Sequence, residues 1–169
     1  MPEDGDEEGY ERTANVLEAM GFRKVAEEGD RVRFEVGDGG PGTRADIVCA
    51  SEVFYGRVAT GTVHHVAWRV ANDESQKSWR QHLVDHDLDV TPVLDRCYFR
   101  SIYFREPGGV LFELATDPPG FAIDEPIETL GETLKLPPWL ERHRGQIEHT
   151  LPAIQLHSRK QVQDARSAS

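Results

Sequence analysis

Tyr98-Phe-Arg-Ser-Ile-Tyr-Phe-Arg-Glu-Pro-Gly-Gly-Val-Leu-Phe-Glu-Leu-Ala-Thr-Asp117 reads as two strands joined by a tight turn. Aromatic and β-branched residues run from Tyr98 to Phe104, Pro107-Gly108-Gly109 interrupts them, and Val110 to Ala115 resumes the pattern. Side chains alternate faces along a strand, so Val110, Phe112 and Leu114 share one side and Leu111, Glu113 and Ala115 the other. Glu113 is therefore a carboxylate inside an otherwise apolar strand. Burying it unpaired costs several kcal/mol, so a buried Glu takes a cation or metal as partner. The plain alternative is an edge strand with Glu113 in water.

A second stretch bears on that choice. Gly61-Thr-Val-His-His-Val-Ala-Trp-Arg-Val70 reads as another strand, with adjacent histidines. Val66, Trp68 and Val70 are expected to pack against a helix, and His64 falls on their side. Val63, His65 and Ala67 point the other way. A strand His is commonly a satisfied core residue, but imidazole plus carboxylate with open positions is a ligand set for non-haem iron or manganese oxygen chemistry.

The chain has 169 residues, enough for one domain with a core or for two small repeated modules. No apolar run approaches ~20 residues, so no membrane span is expected, and no basic segment followed by an apolar one marks a signal peptide. Cys49 and Cys97 are the two cysteines. Their separation speaks against a disulfide framework or a thiolate zinc site and fits a reducing cytoplasm. The net charge of −11 excludes the basic footprint that nucleic acid needs.

Residues 1–9 are acidic and Gly-rich, and are expected to be disordered. A helix over 10–20 follows, with Gly21 as its C-cap. Strands are expected at Phe22–Glu27, Arg31–Val36 and Arg44–Val48. After a linker near Ser51–Thr60 comes strand Val63–Val70, then a helix over 73–86 capped by Asp73, with Gln76 completing a weak capping box and Trp79 and Leu83 facing the core. Strands near Val90–Leu94, Tyr98–Phe104 and Val110–Ala115 complete this part. The fold class is thus α+β: tandem βαβββ modules in a curved mixed sheet, an incomplete first module over 10–52 lacking its opening strand and a complete second one over 61–117. A Pro-rich loop and a C-terminal helix occupy 118–155. That helix, over 137–154 from Pro137-Pro138, is expected to pack Leu140, Ile147 and Leu151 on the body. Residues 156–169 are expected to be a mobile tail.

These units, with a His on an opening strand and a Glu on a final one, resemble the vicinal oxygen chelate fold of glyoxalase I, the bleomycin- and fosfomycin-resistance proteins and the type I extradiol dioxygenases. The 61–67 and 95–117 segments, with Pro119-Gly-Phe-Ala-Ile-Asp-Glu-Pro126 and Leu136-Pro-Pro-Trp-Leu-Glu141, are more narrowly similar to ring-cleaving dioxygenases of hydroquinone and quinone detoxification. The likeness spans roughly residues 10–155 and corresponds to the C-terminal half of such a protein.

The resemblance implies His65 and Glu113 as ligands of a divalent metal, Fe(II) or else Mn(II). It implies an extradiol signature on Ile102, Tyr103, Glu106, Pro107, Gly109 and Glu113, with Tyr103 bonding a substrate oxygen or dioxygen. His64 is the candidate base, and Arg96 and Tyr98 are candidates for substrate binding. Plainer readings stay open: a core Tyr103, a helix-packed His64, and an Arg96 paired with Asp95. The implied activity is ring cleavage of a hydroquinone- or catechol-like aromatic by dioxygen. A drug-sequestering binding module and a glyoxalase-like lyase are the alternatives.

The sequence departs from the family twice. Leu94-Asp95-Arg96 stands where the signature has its leading His, and the first module lacks the strand that carries the family's other metal His. A homodimer or missing N-terminal modules would have to supply it. Two ligands alone predict weak metal binding and ring cleavage near background. His82 and His86, together with His143, His149 and His157, read as solvated residues.

Overall fold

The computed structural model describes residues 5–49 and 59–152. The acidic residues 1–4, most of the 51–60 linker, Ile154 and the 156–169 segment lie outside it. Helix α1 (Gly5–Ala19) leads to strands β1 (Arg23–Glu28), β2 (Arg31–Glu35) and β3 (Arg44–Val48), and no strand precedes α1 among the described residues. The second module is β4 (Val66–Val70), α2 (Asp73–Asp85), β5 (Leu94–Asp95), β6 (Arg100–Arg105) and β7 (Leu111–Thr116). α1 begins five residues ahead of the expected start, within the 1–9 segment expected to be disordered.

The strands divide by module. β1-β2-β3 form one antiparallel sheet, and β4-β7-β6-β5 a second in which β4 runs parallel to β7. Buried residues of both modules form one core, with Leu17, Met20, Phe22, Val32 and Phe34 from the first and Val70, Leu83, Ile102, Phe104, Phe112 and Leu114 from the second. Edge-to-face ring contacts link Phe22, Trp68, Phe112 and Phe104 in sequence across that core.

Both helices end alike. Phe22 N–H bonds Leu17 O at 3.0 Å and Gly21 N–H bonds Glu18 O at 2.8 Å, with Gly21 at φ 86°. At the end of α2, Leu88 N–H bonds Leu83 O at 3.2 Å and Asp87 N–H bonds Val84 O at 3.0 Å, with Asp87 at φ 60°. Each is a Schellman motif, with an apolar residue after the left-handed position folding back on the helix.

Several expected bounds move for identifiable reasons. Asn72, not Asp73, caps α2: its side chain accepts from Ser75 N–H. Gln76 is buried instead, its amide donating to Arg100 O and Leu114 O at 2.8 Å each. Leu83 is fully buried as expected and Trp79 packs against the core. The Val90–Leu94 strand shrinks to Leu94–Asp95. Thr91 N–H still reaches Tyr103 O at 2.9 Å, but Pro92 has no N–H to continue the ladder. β6 starts at Arg100 because Asp95 to Phe99 form a turn, with Cys97 at φ 70° and its N–H on Asp95 Oδ1.

The chain divides into two compact units at Pro118. In the second, the expected long helix is a 3-10 turn, Glu141–His143, followed by α3 (Arg144–Thr150). Gly145 weakens it and Pro152 cannot extend it. None of its residues is buried. Among the described residues no helix is long and apolar enough to cross a membrane.

Candidate metal centre

The hairpin of β6 and β7 builds the site by its register. Tyr103 stands directly opposite Glu113 and Ser101 opposite Ala115, so Ser101, Tyr103 and Glu113 share one face. On the other side of β7, Ala67 pairs with Glu113, and His65, in the segment just before β4, brings its ring to the same carboxylate. The opposite face holds Ile102, Phe104, Phe112 and Leu114 in the core.

Side-chain geometry follows from this placement. His65 Nε2 lies 2.7 Å from Glu113 Oε2, and the Glu113 side chain is only 3% exposed. Tyr103 OH donates to Glu113 Oε1 at 2.8 Å, and Ser101 Oγ donates to the same oxygen. Burial, and then the hydrogen bond to Glu113, push the Tyr103 pKa upward, so its hydroxyl stays protonated at neutral pH. The tips of His65 and Glu113 are thus in direct contact on one face of the sheet, at a hydrogen-bonding separation.

Two ends of the hairpin keep this face in place. Val110 N–H and Gly108 N–H each donate to the buried Glu106 carboxylate at 2.7 Å, and Thr13 Oγ1 of α1 donates to it at 2.5 Å. A Cβ at position 108 would come within 2.9 Å of that carboxylate, so a larger residue there would push Glu106 off its hydrogen bonds. Glu106 is thus a tie between the β6–β7 turn and α1.

The other candidates are placed as follows. His64 is exposed in the segment before β4, not packed on a helix as one reading had it. Its Nδ1 lies 2.9 Å from His65 Nδ1. No ion pair joins Arg96 to Asp95 among the described residues, and Asp95 Oδ1 accepts from Cys97 N–H; the Arg96 guanidinium sits 5.6 Å from the Tyr103 ring centre. Tyr98 is half-buried in the same turn, its backbone N–H bonded to Arg96 O at 2.9 Å. The His82 and His86 rings meet tilted by 51° at 4.3 Å between centres, with His82 Nε2 2.9 Å from Ala19 O, so His82 joins the two helices. Ser101 was not singled out in the sequence. Its signal was a hydroxyl two residues from Tyr103, on the strand facing Glu113.

The donor set suits a hard divalent ion. It offers an imidazole nitrogen and a carboxylate oxygen, and among the described residues no Lys or Arg neutralises Glu113. No group of three or more His, Cys, Asp or Glu among the described residues is placed to hold a metal.

The chain is 49% identical over 142 residues to "Putative ring-cleaving dioxygenase MhqO" of Bacillus subtilis, covering 83% of this chain and 45% of that protein. It is 34% identical over 138 residues to the chlorohydroquinone/hydroquinone 1,2-dioxygenase of Sphingobium indicum, covering 79% and 42%. The solved structure of a Bacillus subtilis protein described as a "putative dioxygenase" superposes with a TM-score of 0.77 at 46% identity, covering 88% of this chain and 47% of that one. The chain is a homologue of the ring-cleaving dioxygenases. It spans about half the length of the curated relatives it matches. No protein-family model matches it. The two modules, each running helix then three strands and the second with an opening strand parallel to its last, have the α+β vicinal oxygen chelate architecture expected from the sequence.

Proposed function

We propose that His65 and Glu113 are two ligands of the metal centre of a ring-cleaving dioxygenase acting on hydroquinone- or catechol-like aromatics. The observation that carries this is the 2.7 Å approach of His65 Nε2 to a buried Glu113 Oε2 that has no Lys or Arg partner among the described residues. The homology to a chlorohydroquinone/hydroquinone dioxygenase supports the substrate class. Fe(II) is the first candidate ion and Mn(II) the second. When bound, the ion would supply a Lewis-acid site for substrate oxygen, through both vicinal oxygens of a catechol or one oxygen of a hydroquinone, and a place for dioxygen.

The protein's own residues bind and orient. Ligation through Nε2 requires the His65 proton on Nδ1, which donates to His64 Nδ1 at 2.9 Å. The base role expected for His64 is thereby narrowed: its Nδ1 accepts, its Nε2 carries the proton, and it acts by holding the tautomer of His65. Tyr103 OH donates to Glu113 and stays protonated, so it can share its oxygen with a substrate hydroxyl. Arg96, over the Tyr103 ring, supplies positive charge for an ionised ring oxygen, and Tyr98 follows it in the same turn. Two ligands leave most positions to water and substrate, so a third comes from a further module or a second copy. This chain alone turns over near background.

The test uses the purified chain with anaerobic Fe(II) and 4-nitrocatechol, whose visible spectrum changes when both oxygens chelate a metal. The expected result is about one ion per chain and a spectral change, both lost in Glu113→Gln. Fe(II) bound equally well by that variant, or bound without perturbing the catechol, overturns the reading.

A further inference from the structure

We propose that Ser101 is a positioning residue for Glu113, fixing the carboxylate so that a single oxygen, Oε2, faces the ion. The proposal rests on the metal reading above and adds a residue to it. Ser101 is fully buried, and its Oγ hydrogen-bonds Glu113 Oε1. Tyr103 OH bonds the same oxygen at 2.8 Å. A carboxylate oxygen has two lone pairs, and these two hydroxyls take both. Oε2 is left to the side of His65, 2.7 Å from Nε2. Glu113 therefore presents itself to a cation through one oxygen.

The two donors act from one strand. Ser101 and Tyr103 lie two residues apart on β6, so they project from the same face at fixed spacing. Tyr103 meets Glu113 directly across the hairpin and Ser101 meets it diagonally, from opposite Ala115. Together they stop rotation of the carboxylate about its last bond. A single donor would allow the second oxygen to swing toward the ion. Ser101 is fully buried whereas Tyr103 is only partly so, and Ser101 also interacts with the Tyr103 hydroxyl, so the two hydroxyls and the carboxylate form one cluster. Outer-shell partners of this kind are worth roughly 10- to 100-fold in metal affinity.

The experiment is titration of the full chain with Mn(II) alone, following free and bound ion by electron paramagnetic resonance. Wild type is compared with Ser101→Ala and with Ser101→Cys, which keeps the shape at a slightly larger size but donates weakly. The expected result is an affinity roughly tenfold lower in Ser101→Ala, an altered spectrum of the bound ion, and an unchanged far-ultraviolet circular dichroism spectrum. A residue that merely fills space would not change the bound-ion spectrum. Should Ser101→Ala fail to fold, Ser101→Cys is read in its place, with the same signs. Binding within about twofold of wild type and an identical spectrum overturns the positioning role while leaving the metal reading intact. No Mn(II) bound by wild type overturns both.

Discussion

In both modules a carboxylate occupies the same place in the same hairpin, but with different surroundings. Asp46 on β3 lies opposite Arg33 on β2, as Glu113 on β7 lies opposite Tyr103 on β6. The neighbours match as well: Phe34 and Phe104 follow, Val32 and Ile102 precede, and all four are buried. Arg33 binds Asp46 through two nitrogens, at 2.8 and 2.9 Å, and Arg31 adds a third contact at 3.1 Å. These guanidiniums hold the Asp46 carboxyl far below the usual range. Both its oxygens and its charge are used up. Glu113 instead has two neutral hydroxyls and an imidazole, which satisfy lone pairs without supplying a fixed positive charge. One scaffold thus yields a closed ion pair in one module and, in the other, a buried carboxylate without a guanidinium partner among the described residues, which is the group proposed above to hold a cation.

The largest expected effect tests whether the two halves are equivalent in packing. Phe34→Ala and Phe104→Ala each remove a fully buried ring and should each destabilise by about 3–5 kcal/mol. Urea unfolding followed by tryptophan fluorescence and circular dichroism should show one shared transition for both, since the buried residues form one core. Two separated transitions would break the comparison. The next effect separates the halves. Glu113→Gln should weaken Mn(II) binding more than about 100-fold, beyond the range for an outer-shell partner. Asp46→Asn should leave it within about twofold. Equal loss in both variants would show that Asp46 also serves an ion.

Element order and the face of Glu113 were legible because they depend on local signals. Gly21, the Pro107-Gly108-Gly109 break and strand alternation placed α1, the β6–β7 hairpin and the face of Glu113. What escaped depends on contacts distant in sequence. Ser101 gains its meaning only from the register across the hairpin, and Glu106, named in the signature, gains its role as a tie only from Thr13 of α1, which lies 93 residues away. The true cap of α2 escaped because Asn72 and Asp73 are both good cap residues, and the sequence does not choose between neighbours. His64 was misplaced because strand alternation was extended two residues beyond the start of β4, where there is no sheet to impose it.

The helix ends give a smaller and opposite-signed pair. Gly21 and Asp87 hold the same left-handed position in equivalent motifs. Gly21→Ala places a Cβ in that conformation and should cost about 1 kcal/mol. Asp87→Gly relieves the strain, partly offset by the greater freedom of glycine in the unfolded chain, and should gain about 0.5 kcal/mol or less. Thermal unfolding of the two variants checks the signs. A loss in both would mean that the Asp87 side chain makes a contribution the glycine cannot replace.

The smallest expected effect comes from removing the ion pair of the first module. The Asp46, Arg33 and Arg31 side chains remain 19, 43 and 53% exposed, so water and salt screen them. The sign nevertheless follows from linkage. The Asp46 pKa is depressed in the folded state, so the unfolded chain binds its proton first as pH falls. The stabilisation is therefore fully present above the ordinary Asp value of about 4, and decreases as pH falls below it toward the folded value. Asp46→Asn should unfold at a lower temperature than wild type by a constant margin from about pH 5 to 7. That margin should narrow below about pH 4. Moderate salt, roughly 0.5 M, should narrow it at neutral pH as well. A margin that is independent of both pH and salt would mean that Asp46 stabilises by packing or neutral hydrogen bonding. The contrast with Glu113 would then no longer be one of charge.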